Sequence, residues 1–334
     1  MLFNIRHVLM MGYVCLVASM AAPCESHADT ATFAPVTFAP VTSAPATQAT
    51  TPQEVDLKYP IDVAVDAQGV VYVADRNLPG IWQIENGEAK VFFQADVKFR
   101  TPLNAIRCLT IDREGKVVAG CSTTTEVYRF EDGQPVPLTG GQISVPMNVS
   151  VGASGEILVC DLKLRQVVRI EPDKTIKVLA TIQAPKAVQP DGADKLLVLT
   201  GVERPLLKIS ASGDPAKTTI VAGDKVHVFG GDYSPAEVFV PNRPFDFPAD
   251  AIRLDSGDWI VSDSYGKCLW RVAAGGEVSK WVSDDRFKLP VGLATDGQQV
   301  FVADPRANAI FAVQADGTVT VLHQSQNKPV GTEQ

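Results

Sequence analysis

One pattern recurs six times between Tyr59 and Gln324: a small polar residue closing an apolar run, an apolar residue six positions later, and another three beyond that. The copies are Asp75/Ile81/Ile84, Cys121/Val127/Phe130, Asp161/Val167/Ile170, Thr200/Leu206/Ile209, Asp263/Leu269/Val272 and Asp304/Ile310/Val313. They lie roughly 40 residues apart, with one longer interval after Thr200, close to the repeat of a four-stranded propeller blade. A unit of that size cannot cover its own apolar faces and must stack on its neighbours. Six of them therefore imply an all-β chain: a six-bladed β-propeller of four-stranded antiparallel blades over residues 57–324. The repeat overrides the two or three domains that 334 residues alone would suggest.

The first copy shows the strand logic. Ile61–Val65 reads as a short inner strand, 66–69 as a turn, and Val70–Ala74 as the second strand. Ile81–Ile84 and Ala89–Phe93 follow as the third and fourth. Near-continuous apolar runs in the two inner strands mean burial on both faces, whereas the outer strands alternate. The second copy departs from this, because Pro102 is farther from Cys121 than Pro60 is from Asp75. Its inner hairpin is expected to be lengthened or shifted. The long interval after Thr200 reads as an insertion following the fourth blade, at 223–244, holding His227, Phe229, Tyr233 and Phe239. Loops of that length are commonly lids or rims.

At the N-terminus, Arg6 precedes an apolar stretch, Val8–Ala22, with Ser26–Ala28 as a cleavage site, so residues 1–28 read as a signal peptide. The stretch is shorter than the about 20 residues of a membrane span. Soluble export, periplasmic or extracellular, is expected, with no transmembrane span in the mature chain. A lipid anchor at Cys24 and an uncleaved anchor are the lesser alternatives. Residues 29–56 are rich in Thr, Ala and Pro and read as an extended linker. The polar residues 325–334 read as a disordered tail.

Net charge is −8, and Lys and Arg form no run, so a nucleic-acid partner is excluded. A monomer is expected. Four cysteines fall in the repeats: Cys108, Cys121, Cys160 and Cys268. Cys108 and Cys121 lie on consecutive strands as diagonal neighbours, a poor bridging geometry, so four buried thiols are expected. No Cys-x-x-Cys occurs.

The copies Pro60-Ile-Asp-Val-Ala-Val-Asp-Ala-Gln-Gly-Val-Val-Tyr-Val-Ala-Asp75 and Pro146-Met-Asn-Val-Ser-Val-Gly-Ala-Ser-Gly-Glu-Ile-Leu-Val-Cys-Asp161 resemble the NHL repeat and the related gluconolactonase/regucalcin propellers. The resemblance implies six blades; it leaves function open, since such propellers include scaffolds, receptors, lyases and lactonases. Gluconolactonase-like enzymes hold a divalent metal at one channel mouth through Glu, Asn and Asp. The matching slots here, Ile61, Met147, Lys186 and Val291, offer no such oxygen. Amidating-lyase and streptogramin-lyase propellers rely on histidines, and the repeats contain only His227 and His323.

Two constellations remain. Asp62, Asn104, Asn148 and Asp250 bear oxygens near the starts of inner strands, where they could bind Ca²⁺ or a hydroxylated ligand. Alternatively they cap those turns through local backbone bonds. Asn104-Ala-Ile-Arg107 and Asp250-Ala-Ile-Arg253 mirror one another in blades that face across the axis. Arg107 and Arg253, with Lys186, could clamp a carboxylate or phosphate, or each Arg could pair internally with an acid such as Asp66 or Asp255. The repeating Asp75, Asp161, Asp263 and Asp304 read as structural. No catalytic set stands out. The leading expectation is an exported NHL-like propeller that binds a small molecule or a protein through Asp62, Asn104, Arg107, Asn148, Lys186, Asp250 and Arg253. The alternative is a metal-dependent hydrolase of the gluconolactonase-like type, with Ca²⁺ at Asp62, Asn104, Asn148 and Asp250.

Overall fold

The computed structural model describes residues 56–193, 195–201, 206–211, 219–222, 225–228, 237–240 and 244–326. The expected signal peptide and most of the linker lie outside them. Within them the chain is all-β, in six four-stranded antiparallel sheets and one extra hairpin. Blade 1 is β1 (Pro60–Val65), β2 (Val71–Asp75), β3 (Gly80–Glu85) and β4 (Glu88–Gln94). Blade 2 is β5 (Ile106–Ile111), β6 (Val117–Cys121), β7 (Glu126–Glu131) and β8 (Gln134–Pro137). Blade 3 is β9 (Pro146–Val151), β10 (Ile157–Asp161), β11 (Gln166–Ile170) and β12 (Ile176–Thr181). Blade 4 takes β13 (Pro185–Pro190), β14 (Lys195–Thr200), β15 (Leu206–Ser210) and β18 (Glu237–Val240), with β16 (Thr219–Ala222) and β17 (Lys225–Val228) as the extra hairpin. Blade 5 is β19 (Pro248–Arg253), β20 (Trp259–Asp263), β21 (Cys268–Val272) and β22 (Val278–Ser283). Blade 6 is β23 (Leu293–Thr295), β24 (Gln299–Asp304), β25 (Ala309–Gln314) and β26 (Val319–Gln324).

Each inner strand packs against the next around the axis, and β1 meets β23 and β24, so the ring is closed. The chain is a six-bladed β-propeller. The second strands β2, β6, β10 and β20 are buried along their whole length. They are apolar at nearly every position because each lies between two neighbouring blades. The outer strands β4 and β22 alternate toward solvent. The seam between blades 6 and 1 is filled by Leu57, which is fully buried among Val71, Trp82, Ala303 and Ile310. Asn308 Nδ2 donates to Leu57 O at 3.0 Å. Asp56 accepts from Gln326 N at 3.0 Å and pairs with His323 Nε2 at 2.9 Å.

Four expectations are corrected or narrowed in detail. Of the two alternatives for blade 2, the hairpin is shifted and not lengthened: Ile106 pairs with Cys121 as Pro60 pairs with Asp75, so Ile106 and not Pro102 holds the blade-proline position. The extra chain does not follow blade 4 but lies inside it, because β18, within 223–244, pairs with β15 as that blade's fourth strand. In the extra hairpin, which contains His227, β16 runs beside β12, the outer strand of blade 3, rather than over a channel mouth. Phe229 and Tyr233 lie outside the described residues. Finally, Ser325 and Gln326, expected in the disordered tail, are hydrogen-bonded to Asn308 and Asp56; residues 327–334 lie outside the described ones. Cys108, Cys121, Cys160 and Cys268 are buried free thiols, and Cys108 sits opposite Gly120 rather than Cys121.

Candidate functional site

The repeat aspartates explain how the loops around the axis are held. Asp75 accepts from the backbone N–H of Lys58 and Tyr59, which lead into β1, and of Asn77 and Leu78, which follow β2. Asp161 does the same for Ser144, Val145, Lys163 and Leu164. Asp263 and Asp304 repeat the arrangement in blades 5 and 6. A carboxylate accepting several N–H bonds fixes two loops at once. These four residues are staples, as the once-per-blade recurrence implied.

The loops so fixed surround a cavity of about 390 Å³ at the end where the inner strands begin. Its walls are the residues just inside each blade: Ile61, Arg107, Met147, Lys186, Ala249 and Val291. Arg76, Tyr59, Phe247 and Tyr265 stand around the opening. Phe247 and Tyr265 stack with centroids 4.8 Å apart. Lys186 Nζ lies 3.6 Å from the centroid of the Phe247 ring and donates to Pro248 O at 2.6 Å. The Nε of Arg107 donates to Ser122 Oγ at 3.2 Å. The opening is therefore apolar and aromatic with three cations.

Asp62, Asn148 and Asp250 form the waist below, bordering both this cavity and a second one of about 260 Å³ at the other end. All three are buried. Each reaches from an odd-numbered blade to the backbone of the next. Asp62 Oδ2 accepts from Leu109 N at 2.9 Å, Asn148 Oδ1 from Val188 N at 3.1 Å, and Asp250 Oδ2 from Leu293 N at 2.9 Å. Asp62 and Asp250 also accept from the next residue in their own strands, Val63 and Ala251, which is the local capping role. Asn148 Nδ2 donates to Asp250 Oδ1 at 3.4 Å. Burial pushes the Asp62 carboxyl well above the usual range, and the charge of Asp250 adds to this. Burial also pushes Asp250 up, to about 7, against the pull of its backbone donors. Two carboxylates in one buried waist cannot both ionise cheaply.

The candidate residues thus separate into four places. Arg107 and Lys186 stand at the first opening, and Asp62, Asn148 and Asp250 beneath them. Arg253 lies at the far end, lining the second cavity, with Nε 3.5 Å from Asp191 Oδ1. The two four-residue motifs that mirror each other are not equivalent. In register Asp250 matches Cys108 and Arg107 matches Ala249, so the two arginines cannot face each other. Asn104 lines neither cavity. Its Nδ2 donates to Lys98 O at 2.7 Å and its Oδ1 accepts from Thr123 Oγ1, tying down the β4–β5 loop. The four oxygen donors that a divalent site would need are therefore not assembled, and those at the waist already accept backbone N–H bonds. No cluster of three His, Cys, Asp or Glu suited to a metal occurs among the described residues. Sequence reasoning missed Tyr59, Phe247, Arg76 and Tyr265. The first two precede equivalent blade prolines, and the others follow Asp75 and Asp263 closely, so the repeat itself carried the signal.

No protein-family model and no curated protein matches the chain. Solved structures do. Virginiamycin B lyase from Staphylococcus aureus is 17% identical with a TM-score of 0.57, over 83% of this chain and 89% of that one. A gluconolactonase from Xanthomonas campestris is 14% identical with a TM-score of 0.59, over 80% and 87%. A nidogen/laminin complex gives 14% and 0.56, over 73% and 90%. The likeness is one of fold. Among these neighbours the propeller serves enzymes and a protein–protein complex alike.

Proposed function

We propose that this propeller is an exported binding protein whose cavity at the Arg107/Lys186 end takes a small carboxylate with an apolar or aromatic body. The observation that carries this reading is the placing of Arg107 and Lys186 on an apolar wall, with Arg76 at the opening and the Phe247/Tyr265 stack beside them. A carboxylate would pair with the guanidinium of Arg107 while its body lies against Met147, Val291 and Phe247. The net charge of −8 works against an anion at long range, so Arg76, Arg107 and Lys186 at this opening must supply the attraction locally. The leader-like residues 1–28 support export.

Titration calorimetry with cinnamate and with cinnamyl alcohol tests the reading. Cinnamate is expected to bind, the alcohol at least about tenfold more weakly, and Arg107→Gln to remove that preference, since a charged hydrogen bond contributes about 1.5–3 kcal/mol. Equal binding of acid and alcohol would count against it. Elemental analysis addresses the hydrolase alternative: a stoichiometric divalent ion, with melting raised by added Ca²⁺, would favour that reading instead.

A further inference from the structure

The two ends of the ring carry opposite charge. At the far end, every turn between first and second strands holds a carboxylate: Asp66, Asp112, Glu156, Asp191, Asp255 and Asp296. At the Arg107 end, the described turns between second and third strands hold no Asp or Glu and carry Arg76, Lys163, Arg165, Lys267 and Arg306. A chain of net charge −8 thus concentrates cations on one face.

The same face carries the exposed apolar side chains. Among the described residues, every large exposed hydrophobic except Val91 and Val321 lies there. They fall in three groups. Val97 and Phe99, 81% and 72% exposed, project from the β4–β5 loop beside Lys98 and Arg100. Leu162 and Leu164 alternate with Lys163 and Arg165 in blade 3. Phe247 and Tyr265 sit with Lys267 in blade 5. In a six-fold ring these groups fall at the junction of blades 1 and 2, at blade 3 and at blade 5, spread around the face as three separate points.

The three points are rigid. Ala95 and Leu103 are buried at the two ends of the β4–β5 loop. Thr101 Oγ1 donates to Asp96 O and Lys98 O, and Asn104 Nδ2 to Lys98 O, so Val97 and Phe99 are held outward. Asp161 holds the Leu164 turn, and Asp263 the backbone of Phe247 and Gly266. The acids in the described loops of this face are Asp56, paired with His323, Asp96 with Lys98, Asp284 with Arg286, and Asp246 and Asp285, which are exposed. The described chain also enters β1 from this face, at Asp56.

We infer that this face docks on an anionic phospholipid bilayer, with Phe99, Leu164 and Tyr265 entering the interface and the neighbouring Lys and Arg facing the headgroups. A planar anionic surface matches both the three-point apolar contact and the sign of the face. Phe247, Tyr265 and Arg76 belong to both this face and the cavity, but Val97, Phe99, Leu162 and Leu164 do not line the cavity, so the inference is tested through them apart from the carboxylate reading.

Sedimentation of the full chain with vesicles tests it, using phosphatidylcholine alone and phosphatidylcholine mixed with phosphatidylglycerol. Binding to the mixed vesicles is expected to exceed that to the neutral ones and to be released by salt. Lys163→Gln with Arg165→Gln is expected to lower the partition coefficient roughly tenfold or more. Phe99→Ser is expected to lower it by about tenfold, without changing the melting temperature or cinnamate binding. Equal binding to both vesicle types, binding untouched by these variants, or no binding to either would overturn the inference.

Discussion

Asp62 and Asp250 sit where a carboxylate is costly to ionise, and that gives stability a pH dependence of known sign. Their folded-state pKa values are raised, Asp250 to about 7, by burial and, for Asp62, by the charge of Asp250. The folded chain therefore holds protons that the unfolded chain releases near pH 4. The stability this contributes is full below that value and is lost as pH rises through about 7. Asp62→Asn removes one of the two charges at the expense of one backbone hydrogen bond. Urea unfolding between pH 5 and 8 is expected to show wild-type stability falling more steeply than the variant's, by between about 1 and 4 kcal/mol over the interval. Parallel profiles would show that the pair does not titrate in this range. At this scale the sequence was legible where a residue recurs once per blade: the staple role of Asp75, Asp161, Asp263 and Asp304 followed from recurrence alone. It was illegible at Asn104, whose likeness to Asp250 is one of neighbouring letters only. Its loop, not its strand, decides what it touches.

The strands show why a small shift of register rearranges a site. Taking Pro102 as the counterpart of Pro60 placed Asn104 among the inner-strand oxygens. The ladder instead aligns Ile106 with Pro60, which puts Cys108 level with Asp62 and turns Arg107 toward the opening. Apolar pattern could not settle this, because both alignments leave an apolar inner strand. Blade 4 hid its fourth strand for a similar reason, since a long excursion precedes β18 and a four-residue strand has little pattern of its own. The observed register brings out an alternation at the waist that sequence reasoning did not draw. Asp62, Asn148 and Asp250 occupy odd blades, while Cys108, Ala187 and Gly292 leave room for them in even ones. At Gly292 a Cβ would lie 2.5 Å from Asp62 Cα and Oδ1. The inner strands of blades 6 and 1 thus approach too closely for a methyl group. Gly292→Ala is expected to destabilise the fold by about 1–3 kcal/mol, the range for overpacking a core. Gly275→Ala, where nothing stands within 4 Å, provides the control. Matching urea midpoints for the two variants would show that the strands separate freely.

At the scale of the whole molecule, each blade covers its neighbours, so the ring holds only if its first and last members meet. Among the described residues no strand from the N-terminal side completes blade 6; β23 to β26 come consecutively from the C-terminal side. The seam is held instead by the short segment ahead of β1. Leu57 fills the apolar gap, its carbonyl is held by Asn308, and Asp56 is tied to His323 and Gln326. The repeat pattern begins after Leu57, which is why the closing residue was not foreseen although the closed ring was. Removing a buried leucine costs about 2–5 kcal/mol when the surroundings cannot collapse into the space. Leu57→Ala is expected to lose stability in that range, and more than Leu164→Ala, which lies exposed on the docking face. Because opening one seam uncovers two blades together, unfolding of the variant is expected to remain a single transition at a lower urea midpoint. An early separate phase, or a loss no larger than that of Leu164→Ala, would place the closing contact elsewhere in the ring.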